Sequence, residues 1–377
     1  MKVIATTYPT CWCGNTDLVT FSPDYSECRS CGTLVSLKRL SSEQLQVRND
    51  ESDFYGKQYW FDHQKLDLGL PDIYTRARND LAERNLHWLK TLLKYRTPPA
   101  TVLELGCSHG SFVALLKQAG YDASGVELSS WIVDFAQKTF SVPIFVGPVE
   151  LLSFPDSSFD VIALMDVLEH LPDPTTTMAH CMNLLKPDGL MLIQTPQFKE
   201  GVTYEVLMET KAPFLKLLKS DEHVHLFSER SAIQMFQTLG AQYIQFEPAI
   251  FGHYDMFFAV SPAPLRAYNQ DEMESALLVT PNGRIILALL DIYRRELKAV
   301  VQLQADKEHL SYQLQLSEED RAERLKVIET QGQQLERILQ LEADKEFLIS
   351  QLKLSEADRA ERLKVIETQG QQLERIL

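Results

Sequence analysis

The chain has 377 residues, which allows two or three domains with at least one sizeable core. Apolar residues make up 45% and charged residues 24%, near the globular average, so wholesale disorder, collagen and a disulfide-dense mini-protein are excluded. Against 37 Lys and Arg stand 52 Asp and Glu, a net charge of -15, which argues against general phosphate attraction and makes nucleic acid a weak partner candidate, save through a local basic patch.

No run approaches about 18 uninterrupted apolar residues, and the start MKVIATTYPTCWCG lacks a signal peptide's apolar stretch, so the expectation is a cytoplasmic protein. Four of the six cysteines, Cys11, Cys13, Cys28 and Cys31, crowd the first 31 residues. In a reducing cytosol that clustering points to metal rather than disulfides. Cys-x-Cys-Gly and Cys-x-x-Cys-Gly turns brought together by a hairpin supply the four thiolates of a structural zinc ribbon over 1–40. The first turn has one spacer residue where two are usual. With four thiolates no position stays open for water, so a catalytic zinc is not expected.

Residues 41–99 form a polar, aromatic stretch that includes DFYGKQYW. Within it, Leu81, Leu86, Leu89 and Leu93 predict a helix over 74–95, stopped by Pro98 and Pro99. This stretch is expected to be a helical lid over an acceptor. From 100 to 262, short β-rich runs (TVLEL, ASGVEL, IFV, DVIALM, GLMLIQ, AQYIQFE, YDMFFAV) alternate with helical patterns such as SFVALLKQA, the signature of βαβ units and a mostly parallel sheet. The last two runs lack a long helix between them and predict an antiparallel edge hairpin.

Val102-Leu103-Glu104-Leu105-Gly106-Cys107-Ser108-His109-Gly110-Ser111 reads as a strand, a tight glycine turn and a helix start. Gly106 and Gly110 allow a ligand to approach the backbone. The turn is not the dinucleotide fingerprint, because Ser108 stands where its central glycine would be. Glu104 would repel a pyrophosphate but suits an ammonium group. Glu127, followed by Leu128, closes the next strand 21 residues after Gly106, where a carboxylate can accept both ribose hydroxyls. A ligand with a ribose and a cation is implied. Cys107 has no His-Asp partner pattern and is read as a small residue of the turn rather than a nucleophile.

After 263 a linker precedes a long helix. Residues 303–339 and 341–377 align with 31 of 37 positions identical. Leu310 and Leu314, then Leu325, Ile328, Leu335 and Ile338, mark a coiled-coil seam. Self-association as a dimer or trimer is expected over 285–377. IILALLDIY, with Arg284, Arg294, Arg295 and Lys298 nearby, makes an anionic membrane surface a further candidate partner.

Five motifs in order resemble the class I S-adenosylmethionine-dependent methyltransferases over about 100–260. Glu104-x-Gly106-x-x-x-Gly110 looks like their first motif and Glu127 like their ribose-binding acid. Phe154-Pro155-Asp156-Ser157-Ser158-Phe159-Asp160 looks like the approach to their fourth strand, Asp166-Val167-Leu168-Glu169-His170-Leu171 like the segment after it, and Leu184-Leu185-Lys186-Pro187-Asp188-Gly189 like the turn into their fifth. The resemblance implies an α/β, Rossmann-like seven-stranded sheet and S-adenosylmethionine held by Glu104, Gly106, Cys107, Gly110, Glu127, Leu128, Val149, Glu150 and Asp166, with Val149 and Glu150 beside the adenine. The cysteine region ahead of the domain is similar to that of sugar C-methyltransferases. That tilts the expected acceptor towards a sugar, nucleotide sugar or polysaccharide end, methylated on a hydroxyl or carbon. Base candidates are His225, His223, His170 and Tyr204, with His253 behind them. The rivals are a catalytically silent cofactor-binding scaffold and a zinc-ribbon RNA methyltransferase.

Overall fold

The computed structural model describes residues 10–38, 47–61, 64, 69 and 71–374. It divides into two compact units, Met1–Arg295 and Glu296–Leu377.

The first unit is built on a seven-stranded sheet. Its strands are β4 (Thr101–Leu105), β5 (Asp122–Glu127), β6 (Ile144–Val146), β7 (Phe159–Met165), β8 (Leu185–Pro196), β10 (Tyr243–Glu247) and β11 (Asp255–Ser261). The order is β10-β11-β8-β7-β4-β5-β6. β4 to β8 are parallel, whereas β11 runs antiparallel to β8 and β10 antiparallel to β11, the edge hairpin expected from the missing helix. Both faces are covered, which is why the central strands are predominantly apolar instead of alternating, with Glu104 on β4 and Asp160 on β7 as exceptions. On β4, Val102 enters one core and Leu103 the other.

Beside α1 (Ile73–Asp80), whose Ile73 packs with Trp60 and Ile132, one face is covered by a π turn at Leu81–Asn85, α2 (Leu86–Tyr95), α3 (Ser111–Ala119) and α4 (Ser130–Phe140). The leucine stripe of α2 buries Trp88, Leu89 and Leu92 against this sheet. α2 is therefore part of the central core, and only the part of 41–99 that precedes α1 is left to act as a lid. Residues 39–46, 62, 63, 65–68 and 70 lie outside the described residues. The other face holds α5 (Pro174–Leu184) and α7 (Glu229–Thr238).

The cysteine region forms β1 (Leu18–Thr20), β2 (Tyr25–Cys28) and β3 (Leu34–Ser36). It is not a separate module: β3 continues into β9 (His225–Leu226), so the second sheet runs β1-β2-β3-β9 and belongs half to the N-terminus and half to the segment after β8. Between β8 and β9 lies α6 (Tyr204–Thr210).

The expected linker over 263–284 is partly ordered into α8 (Gln270–Leu277), started by an Asn269–Glu272 capping box. α9 (Pro281–Glu374) begins four residues before the expected boundary. Its Ile286, Leu290 and Tyr293 pack into the sheet core, while Ile285, Leu289 and Ile292 stay exposed. Half of the stripe considered for a membrane is thus used in packing, and among the described residues no helix is long and apolar enough to cross a membrane. In the second unit every described side chain up to residue 373 is exposed, including Leu325, Ile328, Leu363 and Ile366.

Candidate active site and four-cysteine cluster

The parallel strands β4, β5 and β7 end beside a cavity of about 480 Å³. The glycine turn after β4 forms its floor. Gly106 has φ +62°, and a Cβ there would stand 2.6 Å from Val167 Cγ2. Gly110, at φ +76°, caps α3, and its Cβ would meet Val142 at 3.0 Å. His109, between the glycines, anchors the turn from behind through Nε2, 3.1 Å from the buried Asp80 carboxylate of α1. Cys107 packs its thiol inward under Gly125, consistent with the small-residue reading, and burial pushes that thiol well above its ordinary value.

Glu127, at the end of β5, points into the cavity with its carboxylate fixed on both oxygens. Oε1 accepts the amide of Leu128 at 2.7 Å and Oε2 the amide of Ser108 at 3.0 Å. Burial holds its carboxyl above the usual range despite those donors. Glu104 lies buried beneath the turn and does not line the cavity. Its Oε2 has no partner, and burial, then the Glu127 charge, raise its carboxyl well above the ordinary value. Leu128, Val149 and Glu150 line the far wall, where Thr177 Oγ1 donates to Glu150.

Asp166 lines the cavity at the end of β7 with φ +59°, a conformation that Asp tolerates better than most residues. Gln194 holds it twice, accepting its amide at 3.0 Å and donating to its Oδ1 at 3.1 Å. Asp255, at the start of β11, is buried near it and is pushed up to about 8, first by burial and then by the Asp166 charge.

Of the base candidates, His170 reaches the cavity. Its Nδ1 donates to the Glu222 carbonyl at 3.0 Å, with the Tyr55 hydroxyl 3.1 Å away, and Nε2 stands 3.8 Å from Glu169 Oε1. His223 packs edge-on against His170, ring centroids 4.9 Å apart, with its own Nδ1 donating to the Leu217 carbonyl at 2.7 Å. Burial lowers both imidazoles below the ordinary histidine value, His223 further because His170 adjoins it. Ligand atoms of Glu169, His170 and His223 lie within 4.8 Å of one another, a set able to hold a divalent cation. His225 sits on β9 with Nδ1 3.2 Å from the Leu171 carbonyl, outside the cavity lining. Tyr204 packs on Phe21 at 6.1 Å, and His253 is exposed on the turn before β11; neither lines the cavity.

Sequence reasoning missed the individual residues of the aromatic wall. Tyr55, Tyr59 and Trp60 line the cavity opposite the glycine turn. The available signal was the density of rings in DFYGKQYW. Asp50 fastens this segment to the body: it accepts from Ser129 Oγ at 2.6 Å and from the Trp131 amide at 3.2 Å, at the start of α4.

In the cysteine region, Cys11 and Cys31 sulfurs are 3.4 Å apart and those of Cys13 and Cys28 3.6 Å, with all four inside 4.8 Å. Tetrahedral zinc with Zn–S bonds of about 2.3 Å needs sulfurs roughly 3.8 Å apart, so the cluster fits. The hydrogen bond between the Cys11 and Cys31 sulfurs lowers the Cys31 thiol below its ordinary value.

Residues 75–245 match the family model described as a methyltransferase domain. The domain has a Rossmann-like methyltransferase fold. A ubiquinone biosynthesis O-methyltransferase of Coxiella burnetii is 31% identical over 99 residues, which cover 25% of this chain and 42% of that protein. One from Thiobacillus denitrificans is 28% identical over 161 residues, 41% of this chain and 67% of that protein. A 2-methyl-6-phytyl-1,4-hydroquinone methyltransferase of Synechocystis sp. is 30% identical over 146 residues, 36% of this chain and 45% of that protein. The match with the Coxiella enzyme thus spans less than half of that enzyme's length.

Proposed function

We propose that the chain transfers a methyl group from S-adenosylmethionine to a hydroxyl, or an acidic carbon, of a small molecule bound between the aromatic wall and His170. The observation that carries this reading is the pinned carboxylate of Glu127 facing the cavity across the glycine turn. With both oxygens oriented by backbone amides, Glu127 keeps lone pairs free for two ribose hydroxyls. Gly106 leaves the room that a Cβ would fill, whereas Glu104, buried beneath the turn, supports the turn rather than the ligand.

When bound, S-adenosylmethionine supplies an electrophilic methyl group on sulfur. Alignment of the acceptor against that methyl carries most of the catalysis. Tyr55, Tyr59 and Trp60 exclude water and offer flat apolar surface to a ring. His170 is the best-placed base: its Nδ1–H is committed to a carbonyl, so Nε2 carries the lone pair, and its depressed pKa keeps it neutral at pH 7. His223 supports that ring from behind, and His225, Tyr204 and His253 do not enter this reading.

The relatives are named for ubiquinone biosynthesis and for a hydroquinone, and an aromatic wall suits a phenolic ring. A sugar or nucleotide sugar can also lie flat on such a wall and remains the second acceptor class. The four thiolates hold one structural zinc per chain, and the repeats join copies of the chain. Calorimetry with S-adenosylmethionine and S-adenosylhomocysteine, followed by a methyl-transfer screen of phenols and hydroquinones against nucleotide sugars, tests the proposal. Absence of cofactor binding by intact protein would overturn it.

A further inference from the structure

We infer that the four-cysteine ribbon is the positioning element of the His170–His223 wall, acting through hydrogen bonds from Tyr25 and Ser36 to the backbone of 220–226. This segment has almost no regular structure of its own; its single element is the two-residue β9. Its shape is imposed from two sides.

On the ribbon side, Ser36 Oγ donates to the Ser220 carbonyl at 2.6 Å, Tyr25 Oη to the His223 carbonyl at 2.8 Å, and the Ser36 amide to the Val224 carbonyl at 3.0 Å. Val35 and Leu34 then pair with His225 and Leu226. On the cavity side, the Val224 amide donates to the Glu169 carbonyl at 2.8 Å, and the Glu222 carbonyl receives His170 Nδ1–H. Glu222 lies between Ser220 and His223, so the carbonyl that fixes the His170 tautomer is itself fixed by ribbon donors on either side. Tyr25 and Ser36 are fully buried; the Tyr25 hydroxyl serves this segment, and Ser36 Oγ, which also accepts from the Lys38 amide, donates to Ser220.

The ribbon cannot supply this support by strand pairing alone. β1, β2 and β3 have three, four and three residues, too few to stand without another constraint. The constraint available is the cluster of four sulfurs, which shares a small core with Val35, the partner of His225. A loosened cysteine cluster therefore reaches His170 through β3 and the 220–226 backbone, without any ribbon side chain entering the cavity. Tyr25 and Ser36 are positioning residues.

The catalytic meaning of this link rests on the methyltransferase reading, but the link itself is measured independently. Full-length protein with 15N-labelled histidines is compared with Tyr25→Phe, Ser36→Ala and the double variant, together with wild type stripped by a chelator. Three readouts are hydrogen exchange of 218–226, the ring 15N signals of His170 and His223, and calorimetric S-adenosylmethionine affinity. Loss of two buried hydrogen bonds should speed exchange of 218–226 by about 10- to 30-fold. The two rings should pass from a single Nδ1–H tautomer to a mixture, while exchange in β8 and cofactor affinity stay at wild-type values. Chelation should give the same local signature.

Unchanged exchange and ring signals in the double variant would overturn the inference. If the double variant loosens β8 as well, Tyr25→Phe alone decides by the same signals, since it removes one oxygen and keeps the ring. Absence of cofactor binding in the wild type would instead count against the methyltransferase reading, and metal content of the same samples against zinc alone.

Discussion

Glu127 shows how one side chain acquires a function from its backbone neighbours. Its carboxylate is buried at the end of β5, yet two amides orient it towards the cavity. Removing it in Glu127→Ala should weaken S-adenosylmethionine binding by about 10- to 100-fold, the loss expected for hydrogen bonds to a charged acceptor, as read by calorimetry. Glu104 makes the opposite case. Its folded pKa lies above the unfolded value, so its stabilising contribution is present below about pH 4.3 and is lost as pH rises through the folded value. Glu104→Gln should accordingly raise the melting temperature at pH 7 to 8 and change it little near pH 4. For His170, burial lowers the folded pKa, so the neutral base persists to more acid pH than a free imidazole. The turnover rate should level off before about pH 6.5 and fall in acid, and His170→Gln should abolish that limb. A limb centred above that pH would exclude this imidazole as the base.

Among the elements, the glycine turn carries the most concentrated constraint. Gly106→Ala must place a methyl group in a left-handed conformation and 2.6 Å from Val167 Cγ2. A cost of about 1 to 2 kcal/mol is expected from the backbone alone, visible as a lower urea midpoint, together with weaker cofactor binding. Adding Val167→Ala should recover the steric part of the loss and leave the conformational part. The π turn at Leu81–Asn85 separates α1, which holds Asp80 behind the glycine turn, from α2, which builds the sheet core. The short strands of the ribbon have the opposite character, since they depend on sulfurs at one end and on β9 at the other.

For the whole molecule, the second unit raises a question of association. Its two repeats share the same internal ion pair, Arg324–Asp320 and Arg362–Asp358, both at 2.8 Å, and leave Leu and Ile stripes exposed. Apolar stripes of this length are stable in water when paired with another helix. Sedimentation of the full chain at micromolar concentration should give a dimer or trimer, and Leu325→Asp with Leu363→Asp should return a monomer with unchanged cofactor affinity. A monomeric wild type would refute association through the repeats.

The sheet was legible in the residues because a strand buried on both faces must be mostly apolar, as Thr101–Leu105 is but for Thr101 and Glu104 and Phe159–Met165 but for Asp160. Gly106, Gly110 and Glu127 were legible because a tight turn and a buried acid at a strand end are local properties of the chain. The four sulfurs were legible for the same reason, through their spacing. What only the tertiary structure decided is non-local. The α2 stripe declares one buried face but not that the sheet core covers it. His170, His223 and His225 are equivalent in sequence, and packing alone brings one to the cavity, sets the second behind it and puts the third on β9. The pairing of Leu34 with Leu226 joins residues far apart in the chain through a strand of two residues, too short to leave a periodic signal. Periodicity records which face a residue buries, whereas the choice of what lies against that face belongs to the folded chain.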